Sequence, residues 1–312
     1  MYKYLFGPVP SRRLGKSLGV DLVPSKVCSL DCVYCEVGKT TKLTTERMEY
    51  VPYEKVCMEL EHFFGGNDDP DYITMSGAGE PTLNSRIGDV ILFIKKIRPE
   101  IPVAVLTNGT LLHDSDVRQA LSQANLVMPS LDAISNKAFQ KINRPAPGLN
   151  PDIIIDGLAQ FREGFTGQIW LEIFLLAGYN IDKKEINGIK QALKRIKPDR
   201  VQLNTLDRPG TIPGLKPLLL NELEDIKIQI GFDNIEIIAS AVNARQKSSA
   251  RGETEALIFS TVSRRPCTLE DLQNISGLHV NELNKYLSIM ESKGVIAVEK
   301  QQRGVFYKLA NN

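Results

Sequence analysis

Over the first 245 residues, short apolar runs rich in β-branched side chains alternate with longer amphipathic stretches. The runs LGVDLVP (18–24), DYITMSG (71–77), PVAVLTNG (102–109), LVMPSLDA (126–133), QIWLEIFLLAG (168–178) and RVQLNTL (200–206) predict strands, and NIEIIAS (234–240) a less regular one. YEKVCMELEHFF (53–64), NSRIGDVILFIKKI (84–97) and KKEINGIKQALKRI (183–196) predict helices between them. Strands and helices in strict alternation pair in parallel through right-handed crossovers. Nearly continuous apolar strands are those covered on both faces. The expected class is α/β, a full or partial (β/α) barrel of about six parallel strands. A doubly wound open sheet is the alternative, but no GxGxxG follows the first strand.

Near residue 245 the pattern changes. ARQKSSARGE is small and polar and reads as a linker over 245–252. It divides the chain into units at 1–244 and 253–312. The second unit reads as helix, short helix, a turn at Gly277, a longer helix and two alternating strands around QQRG, the order of a small α+β winged helix-turn-helix. Its recognition-type helix, His279 to Lys293, presents Asn281, Asn284, Lys285 and Ser288, with Arg303 at the wing tip. From 245 to 312 there are ten Lys and Arg against seven Asp and Glu, a net +3. So mild a charge makes few phosphate contacts, so a protein or peptide, or the open end of the barrel itself, is the expected partner.

Composition adds only bounds. At 42% hydrophobic, 24% charged and +1 net, the chain is an ordinary globular protein with no global field that demands nucleic acid. Five cysteines are too sparse for a disulfide scaffold. No apolar run nears the ~20 residues of a bilayer span, and MYKYLFGPVPSRR lacks a signal-peptide pattern. A cytoplasmic protein with reduced cysteines and no membrane partner is expected.

In parallel α/β folds ligands sit at the carboxyl ends of the strands. There the chain carries VCSLDCVYC, SGAGEP, TNGT, SLDA, Glu172 and Asn204 with Thr205. Cys28, Cys32 and Cys35 form C-x3-C-x2-C, three thiols able to converge on one metal centre. Iron–sulfur clusters take thiolates, and three of them leave one iron of a [4Fe–4S] cluster open. Zinc is the alternative, but it needs a fourth ligand. His62, His113 and His279 are all distant in sequence, as are Cys57 and Cys267, which read as core positions.

With this triplet and Tyr34 beside its last cysteine, residues 1–245 resemble the radical S-adenosylmethionine (SAM) superfamily. The resemblance implies that Cys28, Cys32 and Cys35 ligate a [4Fe–4S] cluster and that the open iron takes the methionine moiety of SAM. It also places Tyr34 against the adenine. Ser76, Gly77, Gly79 and Glu80 of SGAGEPTL match the family's glycine-rich element, which meets the methionine ammonium, and Asn108 takes a cofactor-facing position. Ser130 and Asp132 alternate on one side of their strand and suit ribose hydroxyls, with Ser135 free to cap the next helix. Glu172 and Asn204 lie in apolar strands. A buried carboxylate needs a ligand or a cation such as Arg144 or Arg208. Arg12 and Arg13, fenced by proline and glycine, are candidates for substrate carboxylate or phosphate, with Arg144 a third.

PSRRLG, DCVYC, SGAGEPTL, TNG and PSLDA together look like the group that includes the tRNA wyosine-type synthases. Those carry a second cluster on cysteines near the N-terminus. This chain has no cysteine before Cys28, and Cys57 with Cys267 cannot make a second set of three. One cluster is expected. The implied reaction is reductive cleavage of SAM to methionine and a 5′-deoxyadenosyl radical that abstracts hydrogen from an unassigned substrate. An external donor of the flavodoxin or ferredoxin type supplies the electron. The other readings are a radical enzyme acting on tRNA or other nucleic acid, and a transcription regulator that senses redox state or SAM without turnover.

Overall fold

The structure is a computed structural model that describes residues 2–11, 13–66, 69–206, 210–238, 251–278, 280–301 and 304–310, without the side chains of 251–256, 281, 282 and 285. Arg12, Arg208, His279, Arg303, most of the expected linker, and the side chains of Asn281 and Lys285 therefore lie outside the described residues.

An N-terminal hairpin, β1 (Leu5–Ser11) and β2 (Gly15–Val20), leads into two short strands that pair with each other, β3 (Val27–Cys28) and β4 (Lys42–Leu43). The alternating series follows: α1 (Tyr53–Phe64), β5 (Tyr72–Met75), a 3₁₀ turn at Pro81–Leu83, α2 (Ile87–Ile97), β6 (Val103–Thr107), α3 (Ser115–Leu121) and β7 (Leu126–Pro129). It continues with α4 (Asn136–Ile142), α5 (Pro151–Gly164), β8 (Gln168–Phe174), α6 (Lys183–Ile196), β9 (Arg200–Asn204), α7 (Leu220–Ile230) and β10 (Ile235–Ile237).

The large sheet runs β1-β2-β5-β6-β7-β8-β9-β10. Its order places β1 and β10 at opposite edges, so it is an open, partial barrel. The expected count of about six strands needs correction. Seven strands pair in parallel from β2 to β10, and β1 adds an antiparallel edge. LFGPVPS was missed because its two prolines break an alternating pattern. An edge strand tolerates them, since a proline there removes no ladder bond the sheet needs.

Alternation divides the strands between two faces. Leu18, Val20, Ile73, Met75, Val103, Val105, Val127, Ile169, Leu171 and Val201 join the helices in the main core. Each such side chain contributes roughly 1.5–3 kcal/mol on burial. Paired in register on the other, inner face are Thr74 and Ala104, Leu106 and Met128, Ser130 and Glu172, Glu172 and Gln202, and Phe174 and Asn204. Leu14, from the β1–β2 turn, packs into this face against Ala104, Leu126, Met128 and Trp170. The floor of the partial barrel is therefore apolar, and its layers turn polar toward the strand ends.

Helix starts follow their caps. Asp114, Ser135, Asn150 and Asp182 accept backbone N–H groups at the starts of α3, α4, α5 and α6. Ser135 takes the capping role its sequence position suggests.

The C-terminal unit consists of α8 (Arg251–Arg264), β11 (Cys267–Thr268), α9 (Leu269–Ser276), α10 (Val280–Ser292), β12 (Ile296–Gln301) and β13 (Gly304–Leu309), its strands ordered β11-β13-β12. Arg251 and Gly252, within the expected linker, already belong to α8. A separate core of Ile258, Val262, Cys267, Leu272, Leu283, Leu287, Met290 and Ile296 holds it together. Gly277 closes α9 at φ +68°, a left-handed position that glycine takes without cost. Among the described residues no helix is long and apolar enough to cross a membrane.

Candidate cysteine-centred site

After β2 the chain leaves the sheet, and Cys28 ends β3. Cys32 and Cys35 follow on the stretch before β4. That stretch is pinned from several sides. Lys26 N–H donates to Ala78 O (2.8 Å) and Glu80 N–H to Val27 O (3.1 Å), tying it to SGAGE. Asp31 N–H donates to Asn143 O (2.9 Å), Val33 N–H to Ile142 O (2.9 Å) and Ala146 N–H to Ser29 O (2.9 Å), tying it to the chain after α4. Gly79 has to be glycine, because a Cβ there would sit 2.1 Å from Val27 O, and one at Gly77 would meet Asp21 Oδ1 at 2.1 Å. Ser76 N–H bonds Val20 O at 3.1 Å.

The three thiols are half-buried and unbridged. Each faces one N–H donor: Asn108 Nδ2 on Cys28 Sγ (3.6 Å), Asn143 Nδ2 on Cys32 Sγ (3.3 Å) and Lys26 Nζ on Cys35 Sγ (3.0 Å). Burial, then the Glu80 carboxylate, pushes the Cys28 thiol up to about 12. Burial, then Asp132, raises Cys32 well above the ordinary thiol value. Such thiols ionise only against a strong compensating cation. Among the described residues no group of three His, Cys, Asp or Glu closes around a single metal ion. A closed zinc site needs a fourth ligand beside the three thiols. A cluster fits the three as they stand, since each cysteine would ligate a different iron, and N–H donors on the sulfurs are what such a centre uses.

The carboxylates around the thiols are held by protein. Glu80, 2% exposed, accepts from Thr82 N (3.0 Å), Thr82 Oγ1 (2.6 Å), Thr107 Oγ1 (2.6 Å) and Asn108 N (2.7 Å). Three of these donors meet Oε1 and the Asn108 N–H alone meets Oε2. Glu80 thus braces the β5 and β6 ends together and keeps acceptor capacity on Oε2. Burial raises its pKa, against the pull of those donors. Asp132 accepts from Tyr34 Oη (2.5 Å), Asn143 Nδ2 (2.7 Å) and Phe174 N (2.9 Å), and burial pushes it up to about 6. It anchors Tyr34 and Asn143 through Oδ2, with Phe174 N–H on Oδ1. Tyr34 stacks on Phe174, with centroids 3.7 Å apart and planes 8° apart. Asn108 also donates to Ser29 Oγ (2.8 Å).

One layer below lie Ser130, Glu172 and Gln202, met by Asn204 from the Phe174 layer. The cation for Glu172 is Arg13, not Arg144: Arg13 Nη1 donates to Glu172 Oε2 and to Gln202 Oε1 (3.2 Å), and Asn204 Nδ2 reaches Glu172 Oε1 at 3.4 Å. Arg13 reaches across the inner face because the β1–β2 turn folds under the barrel with Leu14. Arg144, on the outer side of the cysteine stretch, faces Asp31 at 3.9 Å instead.

Sequence reasoning missed Lys26, Asn143, Phe174 and Asp21. Lys26 stands two positions before the first cysteine, and Asp21 alternates with Ser17 and Gly19 on the inner face. Those signals were available. Arg264, the last residue of α8, had none. Its guanidinium stacks 3.8 Å over Phe6 and pairs with Asp21 at 3.1 Å. A residue of the C-terminal unit thus reaches the inner face beside Gly77, so the residues around this site do not all precede the linker.

An open parallel sheet with three such cysteines at its carboxyl edge defines a radical SAM protein. The chain belongs to the radical SAM superfamily, whose sequence profile matches residues 22–187. It is 32% identical over 309 residues to a UPF0026 protein of Methanocaldococcus jannaschii, covering 97% of this chain and 94% of that one, and it shares that family. It is 38% identical over 289 residues to a Brachyspira hyodysenteriae protein named GTPase Obg, covering 91% of this chain but spanning only 42% of that protein. A radical SAM methyltransferase of Sphaerobacter thermophilus has the same fold at TM-score 0.53 and 15% identity, over 71% of this chain and 65% of that one.

Proposed function

We propose that the chain is a radical SAM enzyme with a single [4Fe–4S] cluster on Cys28, Cys32 and Cys35, fed by an external donor of the flavodoxin or ferredoxin type. When bound, the cluster supplies reductive cleavage of SAM to methionine and a 5′-deoxyadenosyl radical, which takes hydrogen from the substrate. The observation that carries this reading is the set of three unbridged thiols, each met by an N–H donor. The protein's own part is orientation. Glu80 fixes Asn108 through its backbone, and Asp132 fixes Tyr34 and Asn143. The Gly77–Ala78–Gly79 stretch, whose glycines pack tightly on Asp21 and Val27, lies beside the cysteines as the glycine-rich element that a ligand would meet. The Arg13–Glu172–Gln202 layer beneath is the substrate side.

The C-terminal unit is proposed to be a winged helix that covers the open side of the barrel and presents a protein or peptide substrate. The Arg264–Asp21 contact supports the covering role. Lys308 of the β12–β13 hairpin is paired with Glu299, which leaves fewer cations for phosphates.

Anaerobic reconstitution followed by iron and sulfide analysis and a 5′-deoxyadenosine assay tests the reading. Cluster assembly with dithionite-dependent 5′-deoxyadenosine is expected. A protein that holds only zinc, or a cluster that never yields the nucleoside, overturns it.

A further inference from the structure

The three thiols are not equivalent. Cys28 and Cys32 face neutral amides, but Cys35 faces the ammonium of Lys26. Lys26 is 6% exposed. Lysine is almost never so buried unless paired, and the hydrogen bond of this ammonium goes to the Cys35 sulfur. Its backbone is unusual as well. At φ +61° it lies in the left-handed region that side chains other than Gly, Asn and Asp seldom enter. Neighbours on both sides hold it there: Lys26 N–H donates to Ala78 O at 2.8 Å, and Lys26 O accepts from Thr41 N–H at 3.0 Å and Lys42 N–H at 3.2 Å. A strained residue kept in place by its surroundings, with its charge aimed at a sulfur, points to a role for the charge.

We propose that Lys26 is the charge-compensating residue of the cysteine site, and that its ammonium raises the reduction potential of the cluster held there. The inference rests on the single-cluster reading above. Reduction places one electron from the external donor on a centre already surrounded by three thiolates, so a desolvated anionic site becomes more anionic. A fixed cation in contact with one of those sulfurs stabilises the reduced form more than the oxidised one. Lys26 is thus a positioning residue. It contributes no ligand and no proton, and it makes an otherwise costly electron transfer accessible to the donor.

The test is a redox titration of reconstituted protein, without SAM, followed by electron paramagnetic resonance, with dithionite supplying the electron. Lys26→Asn removes the charge and suits the left-handed backbone; Lys26→Arg keeps the charge. Lys26→Asn should hold as much iron and sulfide as wild type, yet show at least a tenfold lower reduced-to-oxidised ratio at a fixed potential, about 60 mV for one electron. Lys26→Arg should stay within threefold of wild type. An unchanged midpoint in Lys26→Asn overturns the proposal. So does failure of Lys26→Asn to assemble a cluster, since the lysine would then serve assembly. A wild-type protein that forms no cluster sinks the functional reading instead, which keeps the two failures apart.

Discussion

Asp132 offers a direct measurement of the electrostatics beneath the cysteines. Its carboxyl is 4% exposed and accepts three hydrogen bonds, yet burial outweighs them and lifts it from 3.8 to about 6. The native state therefore binds this proton more tightly than the unfolded chain does. Its contribution to stability is present below about pH 4 and is lost as the pH rises to about 6, beyond which it is flat. A shift of that size corresponds to about 3 kcal/mol. Asp132→Asn keeps the shape and abolishes the titration. Urea unfolding of the metal-free protein, followed by fluorescence of Trp170, reports on the barrel alone, because Trp170 is the chain's one tryptophan and sits on β8. The difference between wild type and Asp132→Asn should fall by about 3 kcal/mol between about pH 4 and about pH 6.5. Asp21 and Glu80 are also raised by burial and slope the same way, but they are common to both proteins and cancel. A difference that is flat to within ~1 kcal/mol, or that rises with pH, would refute the argument that burial dominates at this site.

Cys32→Ala should abolish cluster binding, and wild type should carry about four irons per chain; close to eight by elemental analysis contradicts the single cluster. Arg13→Ala strands the half-buried Glu172 without its cation. It should cost about 2–3 kcal/mol in urea unfolding, below the ~3–5 of a fully buried pair because both partners are partly exposed. Adding Glu172→Met should recover at least half of the loss, and no recovery would show that Arg13 acts through packing. Leu14→Ala leaves a void under Trp170 and should destabilise the barrel by roughly 2–5 kcal/mol, with a shift of Trp170 emission; a loss below ~1 kcal/mol would mean that the turn does not plug the floor.

What was legible in the sequence was local. The strand–helix alternation rests on periodicities of 2 and 3.6 within single segments, and the cysteine spacing lies within eight residues. The strand ends were read too long. SLDA and FLLAG continue the apolar composition of β7 and β8, and Ser130, Leu131 and Leu175 N–H still reach Thr107, Glu172 and Asn204 O on neighbouring strands, but beyond them the backbone turns away; Leu176 N–H goes to the Asn180 side chain. What was illegible depends on contacts between distant segments. Glu80 reads in sequence only as a ligand-facing acid; that it also ties Thr82, Thr107 and Asn108 together is set by where the β5 and β6 ends meet. Glu172 called for a ligand or an arginine, with Arg144 and Arg208 the arginines named for it; its partner is Arg13 because of where the β1–β2 turn goes, and no pattern within that turn encodes its path under the sheet.

The same logic explains why the inner face draws on both ends of the chain. Its seven parallel strands place two carboxylates, Asp21 and Glu172, where burial makes an unpaired charge costly. Neither has its arginine on those strands. Arg13 comes from the turn before them and Arg264 from the helix that follows the barrel, 243 residues beyond Asp21. Removing the C-terminal unit would thus do more than delete a docking surface. It would leave Asp21, already raised by desolvation, without the guanidinium that holds it down, next to Gly77 and Ala78 of the glycine loop. A barrel ending near Ala244 should keep its cysteines and assemble its cluster, because the hydrogen bonds on the three sulfurs among the described residues come from Lys26, Asn108 and Asn143, all before the linker. It should bind SAM more weakly as the pH falls toward the range in which an unpaired Asp21 protonates and lets go of Ala78 N–H. Arg264→Ala in the full chain should reproduce that pH-dependent loss in equilibrium binding. If the truncated barrel shows it and Arg264→Ala does not, the unit acts by covering the open side rather than through this one charge.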